Sequence, residues 1–315
     1  MKSWTTWTVT CIILCSIGFM PLHTSAVDTI GGTSLIQAQV NEPTRTAPTP
    51  TPNLTSTSSF DSTIRSWQAI LAKEDGFAGW LHARWNSYSL GPGTHGWVVI
   101  LTDQGHEVGY MIVHATDAGG FRLTEYGTGP APLFSLATLY RSLIQQELIP
   151  SATLYDDFVS NDTITKDRLY MDTLTSVWKI ALGGETYYLD AKSGELLPLT
   201  EDPTPRMAMD TSSSSDLSHG TSQTLIRPSF DPYERLPWIT GTPLQITSLP
   251  ELQVALEKQD DLTYVTKLYG DQVTMPLTVT GYQQWIYGDN YLILEHDGPR
   301  YVLLDPSLML GKIYP

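Results

Sequence analysis

The chain has 315 residues, with 33 Asp and Glu against 18 Lys and Arg, for a formal net charge of −15. Such a chain is repelled by phosphate backbones and anionic lipid surfaces, and no basic run offsets this, so nucleic-acid binding is disfavoured. The length suffices for two domains, and nine Trp with sixteen Tyr point to well-filled cores and half-buried β surfaces.

Residues 1–26 read as an export signal. Lys2 supplies the positive start, Val9 to Met20 an apolar core, and Thr24-Ser25-Ala26 small residues for cleavage before Val27. The apolar core is about 12 residues, short of the roughly 20 that span a bilayer. Leu14 precedes Cys15 and Thr10 precedes Cys11, which argues against lipidation of either cysteine. The expected location is secreted or extracytoplasmic, tethered to the membrane only if the signal stays uncleaved as an anchor. Cleavage removes both cysteines and with them any disulfide or thiol chemistry. Residues 27–59 are expected to be a disordered Thr/Pro-rich tether, with Pro43, Pro48, Pro50 and Pro52 at short intervals.

An α+β domain is expected over residues 60–199, built from two similar halves. In the first, Asp61 or Ser62 caps a helix with Ile64, Trp67 and Leu71 on one face, and Phe77, Trp80, Leu81 and Trp85 continue the helical spacing. Strands follow at Trp97 to Leu101, Val108 to His114 and Phe121 to Tyr126. In the second, Ser135 caps an amphipathic helix carrying Leu136, Leu139, Tyr140, Leu143, Ile144 and Leu148. Strands are then predicted at Thr153 to Val159, Arg168 to Met171, Val177 to Leu182 and Thr186 to Asp190, with Gly183-Gly184 as a hairpin turn. Each half lays its helix across an antiparallel meander, since each element has one apolar face to bury.

The stretch Val177-Trp178-Lys179-Ile180-Ala181-Leu182, then Thr186-Tyr187-Tyr188-Leu189-Asp190-Ala191-Lys192-Ser193-Gly194-Glu195-Leu196-Leu197, resembles the closing hairpin of a PepSY domain. Asp190 is suited to bond turn amides and Gly194 to take a positive φ. The resemblance implies a cystatin/PepSY-like layout and a non-catalytic regulatory or binding role, often toward peptidases. It assigns no functional residue.

Residues 200–232 read as a Ser/Pro-rich linker, and residues 233–315 as a small, mostly antiparallel α+β domain. There Ser248-Leu249-Pro250-Glu251 forms a capping box before Leu252, Ala255 and Leu256. Strands are expected at Thr263 to Leu268, Leu277 to Ile286, Tyr291 to Glu295, Arg300 to Leu304 and Leu310 to Tyr314. Ser248 to Leu256, Pro276 to Tyr282 and Leu304-Asp305-Pro306 are similar to the latter half of C39-like cysteine peptidases. Only Asp305 matches an active-site position of that family. Met275-Pro276-Leu277 lacks the histidine and the mature chain lacks cysteine, so the resemblance implies a catalytically dead domain.

Candidate chemistry is sparse. His95, in the loop Leu90-Gly91-Pro92-Gly93-Thr94-His95-Gly96-Trp97, is a candidate base or ligand, or a turn histidine bonded to backbone. Glu125, Asp190 and Glu295 are nominated for carboxylate chemistry, though linear sequence cannot pair them. His82, His95, His106 and His114 share the first half without a zinc-type spacing, and no metal is expected from them. Asp157, Asn161 and Asp162, with Asp156 and Asp167 nearby, are weak calcium candidates or a solvated acidic turn. No serine-nucleophile elbow is present. No cofactor is expected. The expected function is an exported, non-enzymatic binding or regulatory protein at the cell surface, acting on an unknown protein, such as a peptidase, or an envelope component. The alternative is a secreted hydrolase centred on His95 and Glu125.

Overall fold

A computed structural model describes residues 54–91 and 94–315, with side chains from residue 59 onward. The signal and most of the tether lie outside the described residues, as does part of the loop before His95. The chain is α+β, with every strand pairing antiparallel.

Helix α1 (Leu54–Leu71) is longer than its sequence stripe. Residues 54–59, expected in the tether, are its first turns. Asp61 and Ser62 therefore lie inside the helix rather than capping it, and Ser62 and Thr63 both donate to the Ser59 carbonyl. The stripe itself is buried at Ile64, Trp67 and Leu71. After a 3-10 turn at Ala78–Trp80, the helical spacing expected through Trp85 gives way to β1 (Arg84–Ser89). Pairing with β2 (Gly96–Asp103) overrides the local spacing, and Trp85 still reaches the ring of Phe60 at 6.1 Å. Strands β3 (His106–Ala115) and β4 (Phe121–Thr128) complete the meander.

Ser135 caps α2 (Leu136–Gln145), its side chain accepting from the Thr138 amide. The expected strand at Thr153 to Val159 is instead the short helix α3 (Tyr155–Ser160). Asp156 and Asp157 in its first turn suit the positive end of the helix dipole, and Phe158 is buried. Strands β5 (Thr165–Asp172), β6 (Thr175–Leu182) and β7 (Glu185–Asp190) form a separate three-stranded sheet, with Gly183-Gly184 turning β6 into β7. Asp190 Oδ1 accepts from the amides of Lys192 and Ser193, and Gly194 takes φ +77°.

Residues 200–232 do more than link. They contribute β8 (Thr221–Ile226), which pairs β10 (Val273–Trp285). A Cβ at Gly281 of β10 would fall 1.8 Å from the Leu225 carbonyl oxygen, so only glycine admits β8 there. The single turn α4 (Pro237–Thr240) leads to α5 (Leu249–Lys258). Half of the expected capping box forms, one residue early: Glu251 accepts from the Thr247 amide and hydroxyl, while Ser248 makes no side-chain cap. Strands β9 (Leu262–Leu268), β11 (Asn290–Glu295) and β12 (Pro299–Leu303) follow, then an unexpected helix α6 (Leu304–Leu310) and β13 (Gly311–Tyr314).

Among the described residues the large sheet has ten strands, in the order β1-β2-β3-β4-β12-β11-β10-β9-β13 with β8 added beside β10. It passes from residues 84–128 into residues 262–314 through the β4–β12 pair, where Tyr301 faces Tyr126 and Val302 faces Glu125. Both of its faces are covered. Val99, Leu101, Met111 and Val113 pack with α1 on one side. Val98, Ile100, Tyr110 and Ile112 pack with α2 and the small sheet on the other, and α5 covers that same side over β9–β12. This double burial accounts for the unbroken apolar run Trp97 to Leu101.

Candidate functional site

Behind the β4–β12 seam lies a buried ionic chain. Glu125 Oε1 accepts from Tyr110 Oη (2.5 Å) and Arg300 Nε (2.8 Å), and Oε2 accepts from Tyr170 Oη (3.0 Å). Neither Glu125 nor Arg300 has exposed side-chain surface. Arg300 Nη1 lies 3.1 Å from His296 Nδ1. Arginine only donates, so Nδ1 is the acceptor and the ring proton sits on Nε2. Nε2 is 3.9 Å from Asp190 Oδ1. Burial, with Arg300 beside it, holds the His296 pKa below the usual histidine range despite the attraction of Asp190. Lys192 donates to the Ala131 and Asp297 carbonyls, and burial pushes its ammonium down to about 8. Glu125 has both oxygens occupied by donors on β3, β5 and β12, which makes it a cross-brace between the two sheets.

The sequence candidates scatter around this chain. His95 is an exposed residue at φ +45°, whose carbonyl accepts from the Ala115 amide. It shares no hydrogen bond with Glu125, whose partners are two tyrosines and an arginine. Glu125 and Asp190 are linked only through Arg300 and His296, while Glu295 accepts from the Gly298 amide in a turn. His82 and His106 are exposed and His114 is buried. Along β3, His106 and His114 stand about 26 Å apart, too far to share an ion. Asn161 Oδ1 accepts from the amide and hydroxyl of Thr163, and Asp157 and Asp162 are exposed. Among the described residues no group of three His, Cys, Asp or Glu is placed to hold a metal.

A cavity of about 170 Å³ lies where β4, β5 and α6 meet the segment 206–210. Met171, Met207, Met209 and Met309 line it together with Tyr170 and Thr124, and Asp305 stands exposed at the start of α6 on its wall. Two ion pairs fasten the segment across it. Arg206 grips Asp172, with Nη2 2.6 Å from Oδ1 and the Arg206 amide 2.8 Å from Oδ2. Arg122 holds Asp210 at 2.5 Å and Asp289 at 3.0 Å. Deeper in, His114 Nδ1 meets Thr124 Oγ1 at 3.1 Å, and burial pushes the imidazole pKa down to about 4. Sequence reasoning missed this strap. Its one signal was Met207-Ala208-Met209 set between the charges of Arg206 and Asp210, inside a stretch dominated by Ser, Thr and Pro.

Among the described residues no helix is long and apolar enough to cross a membrane. No protein-family model matches the chain, and neither a curated protein nor a solved structure is significantly similar to it.

Proposed function

We propose that this chain is a non-enzymatic binding protein, and that the methionine-lined cavity receives an apolar side chain of a protein partner. The observation that carries this is the convergence of four methionines on one cavity closed by a charge-fastened strap. Methionine is unbranched and polarisable, so such a lining adapts to varied apolar groups. A cavity of about 150 Å³ is large enough for a benzene ring, and here the methionines share the lining with Arg122, Asp172, Asp210 and Asp305. Exposed Met309 at the wall gives an incoming side chain a first apolar contact.

The finer layout proposed is PepSY-like. Its support is the element order, α1 followed by β1–β4 and α2 followed, after α3, by β5–β7, and the Asp190 to Gly194 turn closing the last hairpin. Export to the cell surface, where a peptidase or an envelope component is the partner, is the proposed setting and rests on the reading of residues 1–26.

The test uses benzene as a probe while the methyl carbons of methionine are followed by NMR. Saturable shifts confined to Met171, Met207, Met209 and Met309, abolished by Met209→Asp, support the reading. Shifts absent or spread over the surface refute it. A rival hydrolase reading draws on the His296–Asp190 approach of 3.9 Å. A hydrolytic activity abolished by His296→Asn would replace the first reading with that one.

A further inference from the structure

A second site, separate from the methionine cavity, lies between two sheet edges. Among the described residues strand β1 ends the large sheet and pairs only with β2, and β5 is the outer strand of the small sheet and pairs only with β6. A groove of about 710 Å³ runs between them. Ser87, Tyr88 and Ser89 all line it, and so do consecutive residues 166–169 of β5. Successive strand side chains point to opposite faces, so consecutive residues share one groove only when the strand edge itself faces it. Both edges thus offer backbone groups that no strand among the described residues occupies.

Three cations line the groove, Lys166, Arg168 and Lys179, with two carboxylates, Asp202 and the exposed Asp167. The Lys179 ammonium is paired with Asp202 at 2.7 Å, and Lys166 donates to the carbonyls of Asn161 and Ile164. Arg168 has no hydrogen-bond partner or ion pair among the described residues, and its Nε is buried. Its guanidinium carbon lies over two rings, 4.2 Å from the centre of Tyr88 and 4.7 Å from that of Trp178. The indole N–H of Trp178 is also buried without a partner. Buried donors rarely go unpaired, and a pre-oriented guanidinium fork matches a carboxylate. Among the described residues Arg168 is the cation of this groove without a hydrogen-bond or ion-pair partner, and with only Asp167 beside it, it favours an acidic ligand over a neutral one.

We propose that the groove between β1 and β5 binds an extended peptide segment, laid against these free edges, with a glutamate or aspartate side chain paired to Arg168. Backbone pairing supplies sequence-tolerant affinity and the arginine supplies selection for the acidic residue.

Fluorescence anisotropy on the full chain tests this with a labelled, end-blocked peptide, Thr-Val-Thr-Glu-Val-Thr-Val. Comparators are the same peptide with Gln for Glu, and one N-methylated along its backbone. The glutamate peptide is expected to bind saturably. The glutamine peptide, the N-methylated peptide and the Arg168→Gln protein should each weaken binding by about tenfold or more. Arg168→Lys, which keeps charge and stem but not the fork, should fall between. Absence of saturable binding overturns the proposal, as does equal affinity for the Glu and Gln peptides. Unchanged affinity of the N-methylated peptide removes the role of the strand edges and overturns it too. Should Arg168→Gln fail to fold, the three peptides on the native chain decide the question.

Discussion

Arg300 and Glu125, 175 positions apart in sequence, form an ion pair 2.8 Å long with no solvent-exposed surface on either side chain. The pair joins the two central strands of the large sheet, and through Tyr170 it also ties in the small sheet. Removing one member leaves a buried charge without its partner. Arg300→Met should therefore cost about 3–5 kcal/mol in urea unfolding, and the double change Arg300→Met with Glu125→Leu should cost less than the single one. An equal or larger loss in the double variant would show that the charges are not opposed in this way.

The strap over the methionine cavity depends on Arg206. Its guanidinium and amide both bond Asp172, whose side chain is nearly fully buried. Arg206→Ala should lower stability by about 1–3 kcal/mol, because Asp172 keeps only Thr175 among its side-chain donors. It should also raise hydrogen exchange selectively at residues 203–211. Exchange that rises uniformly across the chain would contradict local release of the strap.

His114 gives stability a slope with pH. Its pKa is near 6.5 in an unfolded chain and falls to about 4 when folded, because burial disfavours the imidazolium. The folded state thus binds the proton less readily than the unfolded state. The stabilisation is complete above about 6.5 and is lost as pH falls from there toward 4, by about 3 kcal/mol in all. His296, also held low by burial, adds to the same slope. Comparing His114→Gln with the parent from pH 7 to pH 4 isolates one contribution. The variant should show the shallower dependence, and parallel curves would rule out a neutral buried His114.

The turn from Asp190 to Gly194 is sterically closed. A Cβ at Gly194 would lie 2.9 Å from Cβ of Ser142 on α2, and φ is +77°. Gly194→Val should cost about 2 kcal/mol or more, through backbone strain and displacement of α2. Asp190→Ala, which loses the bonds to the Lys192 and Ser193 amides, should cost about 1–2 kcal/mol. Thermal unfolding of each variant checks both values, and a Gly194→Val protein as stable as the parent would mean the turn relaxes freely.

Periodicity carried much of the fold. The stripes Ile64-Trp67-Leu71 and Leu139-Leu143 are buried, Ser135 caps α2, and Gly183-Gly184 turns β6 into β7. Local pattern failed where a distant partner decides the outcome. Strand β1 exists because β2 lies beside it, and β8 exists because Gly281 leaves room for it. Thr153 to Val159 has strand-like composition, yet two aspartates at a helix start and one buried phenylalanine turn it into α3. The candidate site was less legible than the fold. Glu125 was visible as a carboxylate on a strand, but its partners come from residues 110, 170 and 300. The methionine cavity draws on Met171, Met207, Met209 and Met309, from segments that no local pattern associates.

The β4–β12 seam also sets an order of events in time. Strand β4 cannot gain its second neighbour until residues beyond 298 are available, and Glu125 stays uncompensated until Arg300 arrives. A ribosome releasing the chain from its N-terminus therefore delivers nearly 300 residues before the central sheet can close. Long-range pairing of this kind slows folding and leaves strand edges open meanwhile. The β4 edge stays unpaired on that side until the strand carrying Arg300 emerges.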